Sequence, residues 1–121
     1  MTPNLKGQLT EDQRRLLVVL NQVFDVEKKL QMHGDPHNIQ RNINRIKDTF
    51  EELGLFYVDP TGEAFQETRT DIEASISGTG TNELKIVDVI KPIIRLGERR
   101  YSVVAQKGIA IVEAATKANG D

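Results

Sequence analysis

His33 and His37 are the only histidines of the chain. At that spacing they could ligate a metal if both imidazoles shared one helical face. Gly34 and Pro36 lie between them and mark a chain turn, and no carboxylate pattern completes a ligand set. Both therefore read as solvated turn residues, and no metal is expected. Ser77-Gly78-Thr79-Gly80-Thr81 is glycine-rich, yet no Lys-Ser/Thr pair follows and no helix opens behind it. The phosphate cradle is missing, and a mobile hairpin loop is the reading. Asp71 and Glu73 are spaced to share one face of a strand, as a catalytic carboxylate pair would be. Their Thr, Arg and Ser neighbours suggest an exposed edge, with nothing apolar nearby to raise a pKa. Arg95, Arg99 and Arg100 gather around Gly97, as a solvated hairpin end or as a contact for an acidic partner surface. Neither histidine has an orienting neighbour for a Ser-His-Asp set. The chain has no cysteine, which removes the thiol nucleophile and the thiolate metal site. These residue types describe a binding or scaffolding protein, not an enzyme, and imply no cofactor.

The bulk composition narrows the class further. The chain has 121 residues, 38% of them hydrophobic and only 5% aromatic, which is thin material for one core. Self-association is the expected remedy. Sixteen Lys and Arg against eighteen Asp and Glu give a net charge of −2. That balance excludes a generally basic nucleic-acid binder and a polybasic membrane-surface protein. The longest apolar run, Leu16 to Leu20, is too short to span a bilayer, and the N-terminus lacks a signal-peptide stretch. A soluble cytoplasmic protein is expected, with no nucleic acid and no membrane among its partners.

The elements that must position these residues divide the chain into a helical and a β half. Thr10-Glu11-Asp12-Gln13 is a capping box opening a first helix. Leu16, Leu20, Val23 and Leu30 recur there at helical spacing, with Leu17, Val19, Phe24 and Val26 widening the apolar face. Gly34 stops this helix. Asp35 as N-cap and Pro36 at the first helical position restart the chain. In the second helix Ile39, Ile43, Ile46, Phe50 and Leu53 step as a bundle seam, and Gly54 ends it. A helical hairpin so built carries more apolar stripe than it can hide alone, so a dimeric four-helix bundle is predicted.

From Leu55 the period becomes two. Leu55 to Val58 is a strand, Asp59-Pro60-Thr61-Gly62 a tight turn, and Ile72 to Ile76 a weak strand leading into a flexible loop at Ser77 to Asn82. Leu84 to Arg95 is a long β segment in which Pro92 imposes an edge position or a bulge. Leu96-Gly97-Glu98 turns the chain into Arg99 to Ala105, and a last strand runs Ile109 to Val112. The predicted class is α+β, helices segregated from a small antiparallel sheet. Residues 1–54 form the helical dimerisation unit, 55–115 the β unit, and 116–121 a frayed tail.

Three stretches carry a family likeness. EELGLFYVDPTGEAF (Glu51 to Phe65) resembles the junction between helical bundle and β-wing in GrpE, the nucleotide exchange factor of DnaK-type chaperones. KIVDVIKPIIRLGERR (Lys85 to Arg100) is similar to that family's strand-turn-strand with its Leu-Gly-acidic-Arg turn. RRLLVVLNQVFDVEKKL resembles the helix with the family's Leu-Leu-x-Val-x-Asp pattern. The likeness spans about residues 14 to 113 in one order.

The resemblance implies a homodimer whose wing wedges open the nucleotide-binding domain of a DnaK-type chaperone so that ADP leaves. It would place Phe65, Gln66 and Glu67 in the wing's contact loop and Asn38 on the helix face near the chaperone. The basic patch itself, apart from the resemblance, suggests that Arg95 and Arg99 add complementary charge. Leu16, Leu20, Val23, Ile39, Ile43, Ile46, Phe50 and Leu53 would build the bundle. Departures from the pattern are equally specific. The family's long N-terminal stalk helix has no counterpart, because the sequence opens almost at the bundle. Asn38 stands where the family has an exposed Gly, and of the wing's Phe-Asp-Pro and His-Glu-Ala stretch only Phe65 is kept. Ile93-Ile94 replaces Gly-Tyr, and Gln106-Lys107-Gly108 replaces Arg-Pro-Ala. These losses leave a second expectation, a GrpE-fold dimeric adaptor or assembly protein without exchange activity.

Overall fold

A computed structural model of the chain describes residues 9–78 and 83–114. The capping box forms as its sequence dictates: the Thr10 hydroxyl accepts from the Gln13 N–H at 3.0 Å, and the Gln13 side chain accepts from the Thr10 N–H at 2.9 Å. Helix α1 (Glu11–His33) follows and ends at Gly34, whose φ of 86° is open to glycine without a side-chain clash. The restart differs from expectation. Helix α2 (Ile39–Glu52) begins three residues beyond Pro36, because Asn38 takes a left-handed φ of 55° first. Asp35 still caps it, its carboxylate accepting from the N–H groups of Ile39 at 2.6 Å and Gln40 at 2.7 Å. Pro36 shapes the turn and is not the first helical residue.

Among the described residues six strands follow: β1 (Leu55–Val58), β2 (Ile72–Ser77), β3 (Leu84–Lys91), β4 (Ile93–Gly97), β5 (Ser102–Gln106) and β6 (Gly108–Ala114). The α+β class holds, but one antiparallel sheet does not. Two three-stranded sheets form, in the orders β1-β4-β5 and β2-β6-β3. The first is antiparallel throughout; in the second, β6 runs parallel to β2 and antiparallel to β3. The parallel pair arises because the chain leaves for the other sheet between β3 and β6 and returns in the direction of β2. Pro92 is the point of departure. It splits the long β segment into β3 and β4, which belong to different sheets, and β3 carries register shifts at Ile86/Asp88 and Val89/Lys91. The other edge of β3 is covered: Gly62 and Phe65 N–H donate to the Ile86 and Leu84 carbonyls, and Ile86 N–H donates to Glu63 O. The turn between β4 and β5 is set by reciprocal bonds between Glu98 and Tyr101, so β5 begins at Ser102, three residues later than the sequence suggests. The expected loop Ser77 to Asn82 lies partly, and the tail 116–121 wholly, outside the described residues.

One contiguous apolar cluster spans both halves, from Leu17, Leu20 and Phe24 on α1 through Ile43 and Phe50 on α2 to Ile86, Ile94 and Val112 in the sheets. Helix α1 is also tied to the sheets by polar bonds. Asn21 and Gln106 exchange side-chain hydrogen bonds at 2.8 and 3.0 Å, and Lys28 donates to Asp88 at 2.8 Å and to the Val89 carbonyl at 2.7 Å.

Not all of the expected bundle stripe is inside. Leu20, Val23, Ile43 and Phe50 are buried and Leu16 packs against them, whereas Ile39, Ile46 and Leu53 stay 39, 40 and 58% exposed. Val19 and Val26 on α1 are also exposed. Val19 and Val26 stand two residues before Asn21 and Lys28, about 200° around the helix from those bonds to the sheets. Ile39 and Ile46 stand one residue before Gln40 and Lys47, which turn toward Glu27. Glu27 lies between the levels of Gln40 and Lys47, which brings Val26 to about the level of Ile46. Val19, Val26, Ile39 and Ile46 thus share the hairpin face turned away from the β unit, while Leu53 lies at the joint beside Leu55 and Leu96. Among the described residues no helix is long and apolar enough to cross a membrane.

Candidate protein-interaction site

The helices meet the sheets at a two-residue joint, Leu53-Gly54. Gly54 adopts φ 83°, which lets β1 leave the helix end sharply. Its carbonyl accepts from the Gly97 N–H at 2.8 Å, pinning the end of β4 to the joint. Gly97 itself sits at φ 130°, and an added Cβ would lie 2.3 Å from the Tyr101 carbonyl oxygen. Only glycine fits this contact.

Two adjoining charge clusters lie near the joint. In the first, Arg99 grips Glu51 at the end of α2 through two bonds of 3.0 and 3.1 Å, with its guanidinium 4.2 Å above the Phe56 ring. The bonds from Arg99 hold the Glu51 carboxyl below its ordinary pKa. In the second, Glu27 of α1 accepts from the Tyr57 hydroxyl of β1, from Gln40 at 2.7 Å and from Lys47 at 3.1 Å. The Lys47 ammonium also lies 4.8 Å from the Tyr57 ring centroid, and Phe24 meets that ring edge-on at 5.5 Å. Burial alone would raise the Glu27 pKa; the bonds from Tyr57, Gln40 and Lys47 outweigh it and lower it. Burial, and then the Glu27 carboxylate, push the Tyr57 hydroxyl far above its ordinary range. Lys47, Glu51, Phe56, Tyr57 and Arg99 line one small cavity of about 10 Å³, room for a single water. A Glu-Tyr-Lys group could move protons, but this cavity admits no substrate.

The residues that the family likeness singles out are spread over the molecule. Asn38 precedes α2 at its far end, about 21 Å from the joint by the length of a 14-residue helix, and its side chain makes no capping bond. Phe65 is half-buried, its ring packed against the protein's own core, while Gln66 and Glu67 are exposed. The loop bearing them is held by Arg69, which bonds Asp71 twice at 3.0 Å and Glu63 at 3.0 Å. Arg69 holds the Asp71 carboxyl below its ordinary pKa, so Asp71 is an ion-pair partner and not half of a catalytic dyad with the exposed Glu73. Arg95 bonds the Ser102 hydroxyl at 2.7 Å and its carbonyl at 3.1 Å. Arg95 and Arg99 therefore sit near one another on the β4–β5 hairpin with their donors engaged within the chain. His33 and His37 are exposed on either side of the α1–α2 turn, and among the described residues no three His, Asp or Glu side chains gather as a metal site.

Sequence reasoning passed over Glu27, Tyr57 and Lys28. A carboxylate on a helix otherwise apolar on that side, with Lys47 and Gln40 spaced seven apart on the next helix, was the available signal. No family model, curated protein or solved structure matches the chain.

Proposed function

We propose that the chain is a GrpE-type nucleotide exchange factor. Two helical hairpins pair as a four-helix bundle, and the β unit engages the nucleotide-binding domain of a DnaK-type chaperone. By binding the open, nucleotide-poor form more tightly, the dimer shifts the chaperone toward ADP release, without bond chemistry of its own. The observation that carries this reading is the stripe of Val19, Val26, Ile39 and Ile46, exposed on the hairpin face opposite the sheets. A contiguous apolar face of this kind marks an association surface, and a second hairpin covers it with matching spacing. The ordered likeness of the joint and of the β4–β5 turn to the GrpE pattern supplies the partner.

Stopped-flow release of fluorescent ADP from the host's DnaK-type chaperone tests it. A release rate that climbs with the chain's concentration to a plateau is expected. No acceleration from a folded dimer removes the exchange reading. The dimeric adaptor then becomes the better account, and one observation already favours it: Phe65, Arg95 and Arg99 spend their contacts within the chain.

A further inference from the structure

We propose that Glu27 is a positioning residue that sets the angle between the helical hairpin and the β unit, an inference that rests on the exchange reading, since a wedge acts only at a fixed angle. The covalent link between the two parts is Leu53-Gly54, and Gly54 at φ 83° offers little resistance to rotation. The angle is then held by the Gly97-to-Gly54 backbone bond, by the apolar core that both parts share and by side-chain ties across the joint, and among these the polar ties are the directional ones. Among the described residues four side-chain ties cross from helices to sheets: Arg99 to Glu51, Lys28 to Asp88, Asn21 to Gln106, and Tyr57 to Glu27. Arg99–Glu51 is exposed and Lys28–Asp88 half-exposed, where solvent screens the charges, and Asn21–Gln106 joins two neutral amides, which bond less strongly than a charged group. The Glu27 side chain is only 14% exposed, and its carboxylate joins three elements at once: α1 by its own backbone, α2 through Gln40 and Lys47, and β1 through Tyr57. Bonds to a charged group in a half-dry setting are stronger than those at the surface. Because the ligands come from elements on both sides of Gly54, a rotation of the β unit must break the Tyr57 bond before any other bond to Glu27 is strained.

The absence of native cysteine allows a direct test. Spin labels on Asp48→Cys in α2 and Glu113→Cys in β6, both exposed positions, report the interelement distance by pulsed electron resonance. Labelled chain is diluted into unlabelled chain so that distances within one chain dominate. Tyr57→Phe removes only the hydroxyl and keeps the ring against Phe24 and Lys47. It is expected to at least double the width of the distance distribution while the helical circular dichroism stays unchanged. Glu27→Gln, which keeps a carbonyl acceptor, is expected to broaden it less than Glu27→Ala. A Tyr57→Phe distribution as narrow as the parent's overturns the proposal. In the ADP-release assay Tyr57→Phe is expected to lower the plateau rate at least fivefold with less than twofold change in chaperone affinity. A broadened distribution with an unchanged plateau overturns the functional half. A parent chain that fails to release ADP removes the exchange reading instead, and the distance widths report on the angle regardless.

Discussion

The Tyr57 hydroxyl on β1 donates to the Glu27 carboxylate on α1, thirty residues earlier in the chain. This bond closes the structure across the one place where a glycine alone joins helix to strand. It also makes Tyr57 a spectroscopic reporter, since the chain has two tyrosines and no tryptophan. With the exposed Tyr101 changed to Phe, absorbance at about 295 nm follows Tyr57 alone. Its ionisation is expected only at the alkaline limit, as the protein unfolds, because burial and the Glu27 charge both oppose the phenolate. Glu27→Gln should bring that ionisation to lower pH. A Tyr57 that titrates as a free phenol in the folded parent would break the assignment.

Acid should loosen the same cluster. The folded Glu27 pKa lies below its ordinary value of 4.5, so its contribution to stability is complete above that value and is lost as pH falls through the folded pKa. Denaturant titrations between about pH 7 and 2 are expected to show Glu27→Gln less stable than the parent at neutrality, with the gap closing in acid. Asp71, lowered by Arg69, titrates in both chains and cancels from the comparison. A gap that stays constant with pH would mean that the Glu27 charge contributes nothing.

Neighbouring isoleucines on α2 separate folding from association. Ile43 is buried within the protomer, so Ile43→Asp puts an unpaired charge into the core and is expected to unfold it. Ile46 lies on the outward stripe, so Ile46→Asp should leave a folded monomer. The dimer dissociation constant should rise at least hundredfold, about 2.8 kcal/mol, by sedimentation. An Ile46→Asp chain that still sediments as a stable dimer would locate the interface elsewhere.

Gly97 is where backbone meets backbone. Gly97→Ala is expected to cost about 2–3 kcal/mol in chemical unfolding, from the left-handed φ and the Cβ driven against the Tyr101 carbonyl. A cost below about 0.5 kcal/mol, the size of an ordinary surface change, would mean that the turn relaxes freely.

Glu67 tests the partner face without touching the core, unlike Phe65. Glu67→Arg is expected to weaken chaperone binding at least tenfold, about 1.4 kcal/mol, by calorimetry. Unchanged affinity takes this loop out of the interface.

Local signals were read well where they act locally. The Thr10 box, the Gly34 stop, the Leu55–Val58 strand and the disruptive effect of Pro92 all appear where short-range chemistry requires them. The Asp35 cap was legible in its residue, but the left-handed Asn38 delayed the helix it caps. What the sequence withheld was pairing at long range. Period two does not distinguish a parallel neighbour from an antiparallel one, so the β2–β6 pair and the division into two sheets stayed hidden. The Glu27 cluster was invisible for a similar reason: a charged residue on a helix usually faces water, and only the arrival of Tyr57 and Lys47 turns it inward. The hairpin stripe was read as bundle core, and the structure divides it into residues that pack within one chain and residues that do not.

Strand β6 holds the middle of its sheet, between β2 and β3, yet comes last of the six. A ribosome releases both flanking strands before the strand that joins them exists. During synthesis β2 and β3 must wait with their inner edges open, while the β1-β4-β5 sheet can already close against the helices. Completion of the β unit is therefore a late event governed by a single seven-residue segment. A chain stopped short of Gly108 would expose two unpaired edges to its neighbours in the nascent population, the condition under which strands from separate molecules exchange or aggregate.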